Sequence, residues 1–430
     1  MQEFLAAKFI NIEIHRINLM YPIIKSTWAL LLGIFLLMVG YGVQGPLLAI
    51  RGKFEGFGVD TMSWIMSGYF LGLLLGSQIT VKLIDQVGHV RVFAALASLI
   101  SASLLLFAIT PNPFAWFALR IIIGFCFSGV FIVSESWLND GAPNRYRAQT
   151  ISIYLIVQLF GMLGAQILIN FGETSGYFLF ALVSVIVSLS FAPILLTVNS
   201  APIYKTAKRL SVIELYHISP FGCISMIFFG GISSLIFSMT PVFFTELNYS
   251  TYQITLAMGL ALISSMALQL PISWVSDTLD RRSLIVFSTL IGAFIIGIGF
   301  LCPDTFVVKL LLVSIVCAIA MPLYPTIIAY TNDYLNHEDM AAASGGLIFL
   351  ASLGSCIMPV VCGYLIKNFG PNMFFILLML LFLMISIYGF YRMAVRSTSE
   401  QLNTTSHVTL NTVISPVGVE IAQEEALKSK

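Results

Sequence analysis

Twelve apolar stretches, each long enough to cross a bilayer, run through the 430-residue chain and leave few folds open to it. They lie at about 28–50, 61–84, 92–110, 114–137, 149–171, 177–197, 220–243, 251–275, 283–302, 307–330, 341–366 and 371–391. A hydrocarbon core is roughly 30 Å thick and takes about 20 helical residues to span. Inside it every backbone N–H and C=O must find a partner without water, so runs of this length form helices. The expected fold class is all-α: a polytopic membrane protein with twelve transmembrane helices. Charged residues make up only 10% of the chain, too few for a soluble domain of this length. The first run is long enough to span and lacks the small-residue cleavage site of a leader peptide.

The runs fall into two sets of six, separated by a polar stretch with Lys205, Lys208 and Arg209. The expected layout is a cytoplasmic N-terminal segment 1–27, a six-helix bundle 28–198, a cytoplasmic linker 199–219, a second six-helix bundle 220–391 and a disordered cytoplasmic tail 392–430. Met20 is an alternative start to Met1. Lysine and arginine set the orientation. Arg51, Lys53, Lys309 and Lys367 fall on one side and Arg120 inside the membrane; every other lysine and arginine falls on the side of the termini. Both termini are therefore expected in the cytoplasm. The net charge of +1 gives no reason to expect a nucleic-acid partner. Six cysteines stand singly, without the paired spacing of a metal site or disulfide framework, and no cofactor is expected.

Residues 76–91 join the second and third runs and carry Asp85, Gly88 and Arg91. So short a connection makes the two helices an antiparallel pair, and Gly88 suits the reversal because it tolerates positive φ. The pattern returns in the second half as Trp274-Val-Ser-Asp-Thr-Leu-Asp-Arg-Arg282. There Asp277 answers to Asp85, Asp280 stands where Gly88 stood, and Arg281 and Arg282 supply the bases.

An acid, a glycine three residues on and then bases resembles the signature loop of the major facilitator superfamily of transporters. Gln86 and His89 stand where that loop usually has arginines, and the second copy lacks the glycine. Met66-Ser-Gly-Tyr-Phe-Leu-Gly72, Gly88-His-Val-Arg-Val-Phe-Ala-Ala-Leu96 and Ser134-Glu-Ser-Trp-Leu-Asn139 narrow the likeness to the YcaD-like bacterial branch. The resemblance runs from about Met20 to Arg392. It implies a monomeric secondary transporter of the inner membrane, two six-helix pseudo-repeat bundles around a cavity lined by helices 1, 4, 7 and 10. It also implies gating carboxylates: Asp85 facing the start of helix 11 at 341–345, and Asp277 the start of helix 5 at 149–152. Such contacts cross between halves and exist only while that side is closed.

Helix 4 carries the clearest candidate site. Arg120 lies about two turns in from the outer end, and a cation at that depth normally faces a cavity or a partner. Gly124 follows one turn on, on the same face, leaving room for a backbone or a ligand. The pair resembles the superfamily's helix-4 motif, with Ile123 in place of the usual glutamine. The alternative is a structural arginine whose head reaches the outer headgroups. Glu135, near the inner end of helix 4, has its counterpart by repeat at Asn332-Asp333. These acids are candidate proton carriers or inner-gate partners for Arg145, Arg147, Arg281 or Arg282; solvated helix-end charge is an equal alternative. Gln44, Gln158, Gln166, Ser233, Ser234, Ser238, Tyr324 and Tyr330 are candidate hydrogen-bonding groups for a solute. Buried serine and glutamine serve equally as helix–helix glue.

The expected function is secondary active transport of a small organic, anionic solute, coupled to an ion or proton, with the lipid bilayer as the surrounding partner. Drug/proton antiport is the first alternative. Helix 1 lacks an acid and helix 5, with Gly161-Met-Leu-Gly-Ala-Gln166, lacks a Gly-Pro pair, and both absences count against it. A transport-inactive sensor or assembly factor needs an effector domain that the chain does not have. An enzyme is not expected: no Ser/His, paired-Asp or metal cluster appears, and the five histidines all read as loop or tail residues.

Overall fold

A computed structural model describes the backbone of residues 2–141, 147–196, 211–335 and 339–395, and side chains from 27 onward except at 139–141, 147–149, 277 and 341. Among the described residues there is no β-strand, and twelve helices are long and apolar enough to span. They are α1 (Thr27–Phe54), α2 (Val59–Val87), α3 (His89–Ile109), α4 (Pro113–Leu138), α5 (Thr150–Phe171), α6 (Phe178–Leu196), α7 (Pro220–Glu246), α8 (Thr251–Ser276), α9 (Arg281–Gly299), α10 (Phe306–Asn332), α11 (Ala342–Phe369) and α12 (Met373–Val395). The backbone helix that contains α1 begins at Gln2. The side chains of 1–26, the linker at 197–210 and the tail at 396–430 lie outside the described residues. Residues 212–218 of the expected linker form a short helix held by a capping box, Ser211 with Glu214.

An even number of crossings returns the chain to the face it entered; we call this the terminal face and the other the far face. In the first half α1 packs on α5, α2 on α4 and α3 on α6. The second half repeats them as α7 with α11, α8 with α10 and α9 with α12. Like pairs use like chemistry. Ser101 of α3 meets Ser184 of α6 at 2.7 Å, and Thr289 of α9 meets Ser386 of α12 at the same distance. In lipid such hydroxyl pairs hold helices together because the apolar surface gains little by leaving hydrocarbon for protein.

Close backbone approach does the rest. α2 and α4 run parallel, and Gly72 lies against the carbonyl of Ile121 while Gly124 lies against the carbonyl of Tyr69. Gly230 and Gly354 make the matching seam between α7 and α11. A methyl group at any of these positions meets backbone, which cannot rotate aside. Gly72→Ala is therefore expected to destabilise the protein by about 1–3 kcal/mol or more through overpacking. Gly297→Ala, where nothing stands within 4 Å, should be neutral or slightly stabilising. Thermal melting of the two purified variants checks this; equal melting points would mean that the seam is loose.

The loops reverse by different means. Gly88 has φ +84° and closes α2 onto α3, as a glycine at that place should. The second copy needs no positive φ. Asp280 caps α9 instead, its carboxylate accepting from the Ser283 N–H at 3.0 Å and hydroxyl at 2.7 Å. Two helices of the second half are irregular at mid-membrane. α7 holds a π-turn at Leu235–Met239, and α10 breaks at Met321 and Pro322.

Candidate functional site

A cavity of about 100 Å³ lies between the halves, lined from α1, α2, α4, α7, α10 and α11. Tyr41, Tyr69, Phe70, Phe131, Phe229, Phe237 and Tyr324 form its aromatic wall. Ser77, Ser128, Ser233, Ser352 and Ser355 supply hydroxyls, so the lining is flat-faced and apolar with scattered polar points. The irregular stretches of α7 and α10 bring Phe237 and Tyr324 to it. π-turns of this kind are frequent at functional sites.

A smaller chamber of about 40 Å³ adjoins it and shares Tyr41, Tyr69, Phe70 and Phe237. Arg120 lines this chamber with Gln44, Gln166 and Ser238. Its depth is set by the start of α4, where Asn112 Oδ1 accepts from the Phe114 N–H at 2.9 Å and the Ala115 N–H at 3.2 Å. Only 4% of Arg120 is exposed, so the side chain stays inside and does not reach the headgroups. Its guanidinium carbon sits 4.9 Å from the Tyr69 ring centre, and Nη1 donates to Gln44 Oε1 at 3.2 Å. A desolvated cation–π contact is worth about 2 kcal/mol and a charged hydrogen bond about 1.5–3. Together they offset a burial cost of about 3 kcal/mol but leave donors spare. Arg120 Nε, Gln44 Nε2 and Gln166 Oε1 have no partner, and among the described residues no carboxylate pairs with Arg120.

The other sequence candidates separate into cavity and packing residues. Gln44 and Tyr324 line the site. Gly124 does not open onto it: the face expected to admit a ligand is filled by the α2 backbone. Ser234 satisfies itself on the Gly231 carbonyl at 2.9 Å, and the cavity serine of that pair is Ser233. Tyr330 packs edge-on to Phe221 at 5.3 Å and lies outside both chambers. Gln158 is fully buried, lines neither chamber and lies against the Tyr154 hydroxyl. Tyr41, Tyr69 and the phenylalanines were not among the expected residues. A tyrosine three residues before Gln44 in mid-span is the one signal the sequence carried for them.

Glu135 lies deeper than a helix-end charge. It is fully buried, and Tyr154 of α5 donates to its Oε1 at 3.0 Å. Tyr324 of the other half lies within its electrostatic reach. Asp333 pairs with Arg281, so that acid ties α10 to α9 within one half. Arg282 is buried and donates to the Arg392 carbonyl at 3.4 Å, also within that half. Arg91 and Asp85 are exposed, and the expected docking of Asp85 on α11 is not made among the described residues. The side chains of Asp277 and Arg147 lie outside the described residues. His89 corrects the reading of histidines as loop residues: it is buried at the start of α3, with Nε2 3.0 Å from Ser136 Oγ.

Polar ties join the two halves at the far face. Lys53, at the end of α1, donates to the carbonyl of Thr245 at 2.6 Å, that of Glu246 at 3.3 Å and Asn248 Oδ1 at 2.7 Å. Lys367 pairs with Asp60 at 2.6 Å, and Asn170 donates to Thr255 at 2.9 Å. Lys53 sits at the C-terminus of α7, where the helix dipole favours a cation by about 1 kcal/mol. The Lys367–Asp60 pair is half exposed and worth less. Lys53→Met is therefore expected to loosen the far face severalfold and Lys367→Met weakly. Spin labels at Asn112 and Thr305, in loops of opposite halves, should report a wider population in the first variant. An unchanged distance distribution would make Lys53 a plain helix cap.

The Major Facilitator Superfamily model matches residues 30–295 and 221–419. An MFS-type transporter of Enterobacter sp. strain 638 is 23% identical over 356 residues, 81% of this chain and 91% of its own. YcaD, an MFS-type transporter of Salmonella paratyphi A, is 22% identical over 395 residues, 90% of this chain and all of its own. The crystal structure of the nucleoside transporter NupG superposes with a TM-score of 0.72 at 14% identity, over 87% of this chain and 99% of that one. That likeness speaks for the fold alone. With the family model matching both halves and YcaD proteins similar along nearly the whole length, the chain belongs to the major facilitator superfamily of membrane transporters.

Proposed function

We propose that this chain moves a small organic anion across the bacterial inner membrane by alternating access, its halves 28–198 and 220–391 rocking about the central site. Arg120 carries the reading: a buried cation with no acid partner among the described residues, lining a chamber between halves with its Nε unfilled. Net binding of one anion completes its coordination and neutralises it. The lysine and arginine bias supports a cytoplasmic terminal face, which makes the Lys53 and Lys367 ties an outer closure. Glu135 is the coupling candidate, a fully buried acid that accepts a hydrogen bond from Tyr154 of α5. Asp85 and Asp277 act in the opposite phase, when the cytoplasmic side closes.

A cysteine at Ser128, in a protein whose six native cysteines are replaced, tests this. It should react with a membrane-impermeant thiol reagent from one side at a time. Adding Lys53→Met and Lys367→Met should raise its reactivity from outside. Reactivity from both sides at once, or from neither under any condition, overturns the reading.

A further inference from the structure

The two chambers differ in chemistry and share a wall, and together they describe a ligand. The smaller holds one positive charge and three unpartnered atoms on residues more than nine-tenths buried: Arg120 Nε and Gln44 Nε2, which donate, and Gln166 Oε1, which accepts. The Gln166 amide nitrogen is already used on the Gly42 carbonyl at 3.2 Å, so its oxygen is the group left for a ligand. Two donors and a charge fit a carboxylate. One acceptor beside them fits an O–H or N–H on the neighbouring carbon. At about 40 Å³ the chamber takes a head group and no more.

The larger chamber, of about 100 Å³, begins at Tyr41, Tyr69, Phe70 and Phe237 and continues between Phe131, Phe229 and Tyr324. Ring faces and edges accept a flat apolar body, with pair contacts worth about 0.5–1.5 kcal/mol each. Tyr41 stands 5.9 Å from Tyr69 and 6.3 Å from Phe131, and Phe229 stands 5.6 Å from Tyr324, so both halves offer aromatic surface. We infer that the solute is an organic acid with three parts: a carboxylate held by Arg120 and Gln44, a hydrogen-bond donor on the adjacent carbon held by Gln166, and a flat aromatic body in the central cavity. This rests on the transporter reading and names the substrate class of the same site. The serines on the cavity wall tolerate polar substituents on the ring.

Four probes separate the parts: mandelate, with all three; phenylacetate, without the hydroxyl; lactate, without the ring; and mandelamide, without the charge. Binding to the purified full-length protein is measured by calorimetry. Mandelate should bind at least tenfold tighter than each of the others. Gln166→Leu should erase the preference for mandelate over phenylacetate. Phe131→Ala should erase the preference over lactate. Mandelamide binding as tightly as mandelate removes the charge from the inference, and lactate binding as tightly removes the ring. No binding of any probe to folded protein at millimolar concentration overturns the whole. The transporter reading fails separately, on the one-sided reactivity of the Ser128 cysteine.

Discussion

Arg120→Gln is expected to weaken anion binding by roughly a hundred- to several-thousandfold and to change the stability of the protein little. Both halves of that expectation follow from the same imbalance. A carboxylate bound in a desolvated chamber loses about 3–5 kcal/mol when its cation is removed, because the remaining charge is then buried alone. Each 1.4 kcal/mol is a factor of ten in affinity. Without ligand the accounting reverses. Arg120 has one hydrogen bond, one ring contact and no acid partner among the described residues, with Nε unfilled. Holding a guanidinium at that depth costs about 3 kcal/mol, roughly what the ring contact and the Gln44 bond return, so a neutral amide that avoids the cost and forgoes those contacts changes stability little.

Arg120→Lys should fall between. It keeps the charge, loses the planar fork and cannot hold the same geometry to Gln44. Calorimetric binding of mandelate and thermal melting, run on the same preparations, read both quantities. Unchanged affinity in Arg120→Gln rules the residue out of the site. A large fall in melting temperature instead makes it a structural tie. The pattern expected here, function lost and stability kept, is the one a strained binding residue leaves.

What the sequence made legible was the part governed by the bilayer. Span length and loop chemistry follow from the need to pair every backbone group in hydrocarbon, and helix 5, read at about 149–171, is found at Thr150–Phe171. The site was less legible because lipid and protein interior are equally apolar. Phe131 lines the cavity at 6% exposed and Phe160 faces outward at 60%, yet nothing in their local sequence separates them. Gly124 marks a close approach, but whether backbone or ligand approaches depends on α2, far away in sequence. The depth of Glu135 was hidden for the same reason. In the last two turns of its helix, it reads as a helix-end charge until Tyr154 of α5 covers it.

Glu135→Gln is expected to uncouple transport from the proton gradient without stopping exchange. A carboxyl group fully enclosed by protein meets no bulk water, so exchange of a proton with water requires the surroundings to open. Its neighbours come from both halves, Tyr154 through a hydrogen bond and Tyr324 through its field, so rocking of the halves changes what Glu135 meets. That is the arrangement a carrier needs: shut off in one state, reachable in another. A pH step of one unit supplies about 1.4 kcal/mol per proton, enough for about tenfold accumulation of solute per proton carried. In proteoliposomes the amide variant should show no accumulation beyond equilibrium under such a step, while labelled and unlabelled mandelate still exchange at near the native rate. Asp333→Asn is the control, since Asp333 is engaged by Arg281 within one half and its loss should not uncouple. Should Glu135→Gln accumulate solute as the native protein does, Glu135 is a packing residue and the coupling group lies elsewhere. Loss of both accumulation and exchange would instead place it in the solute's path.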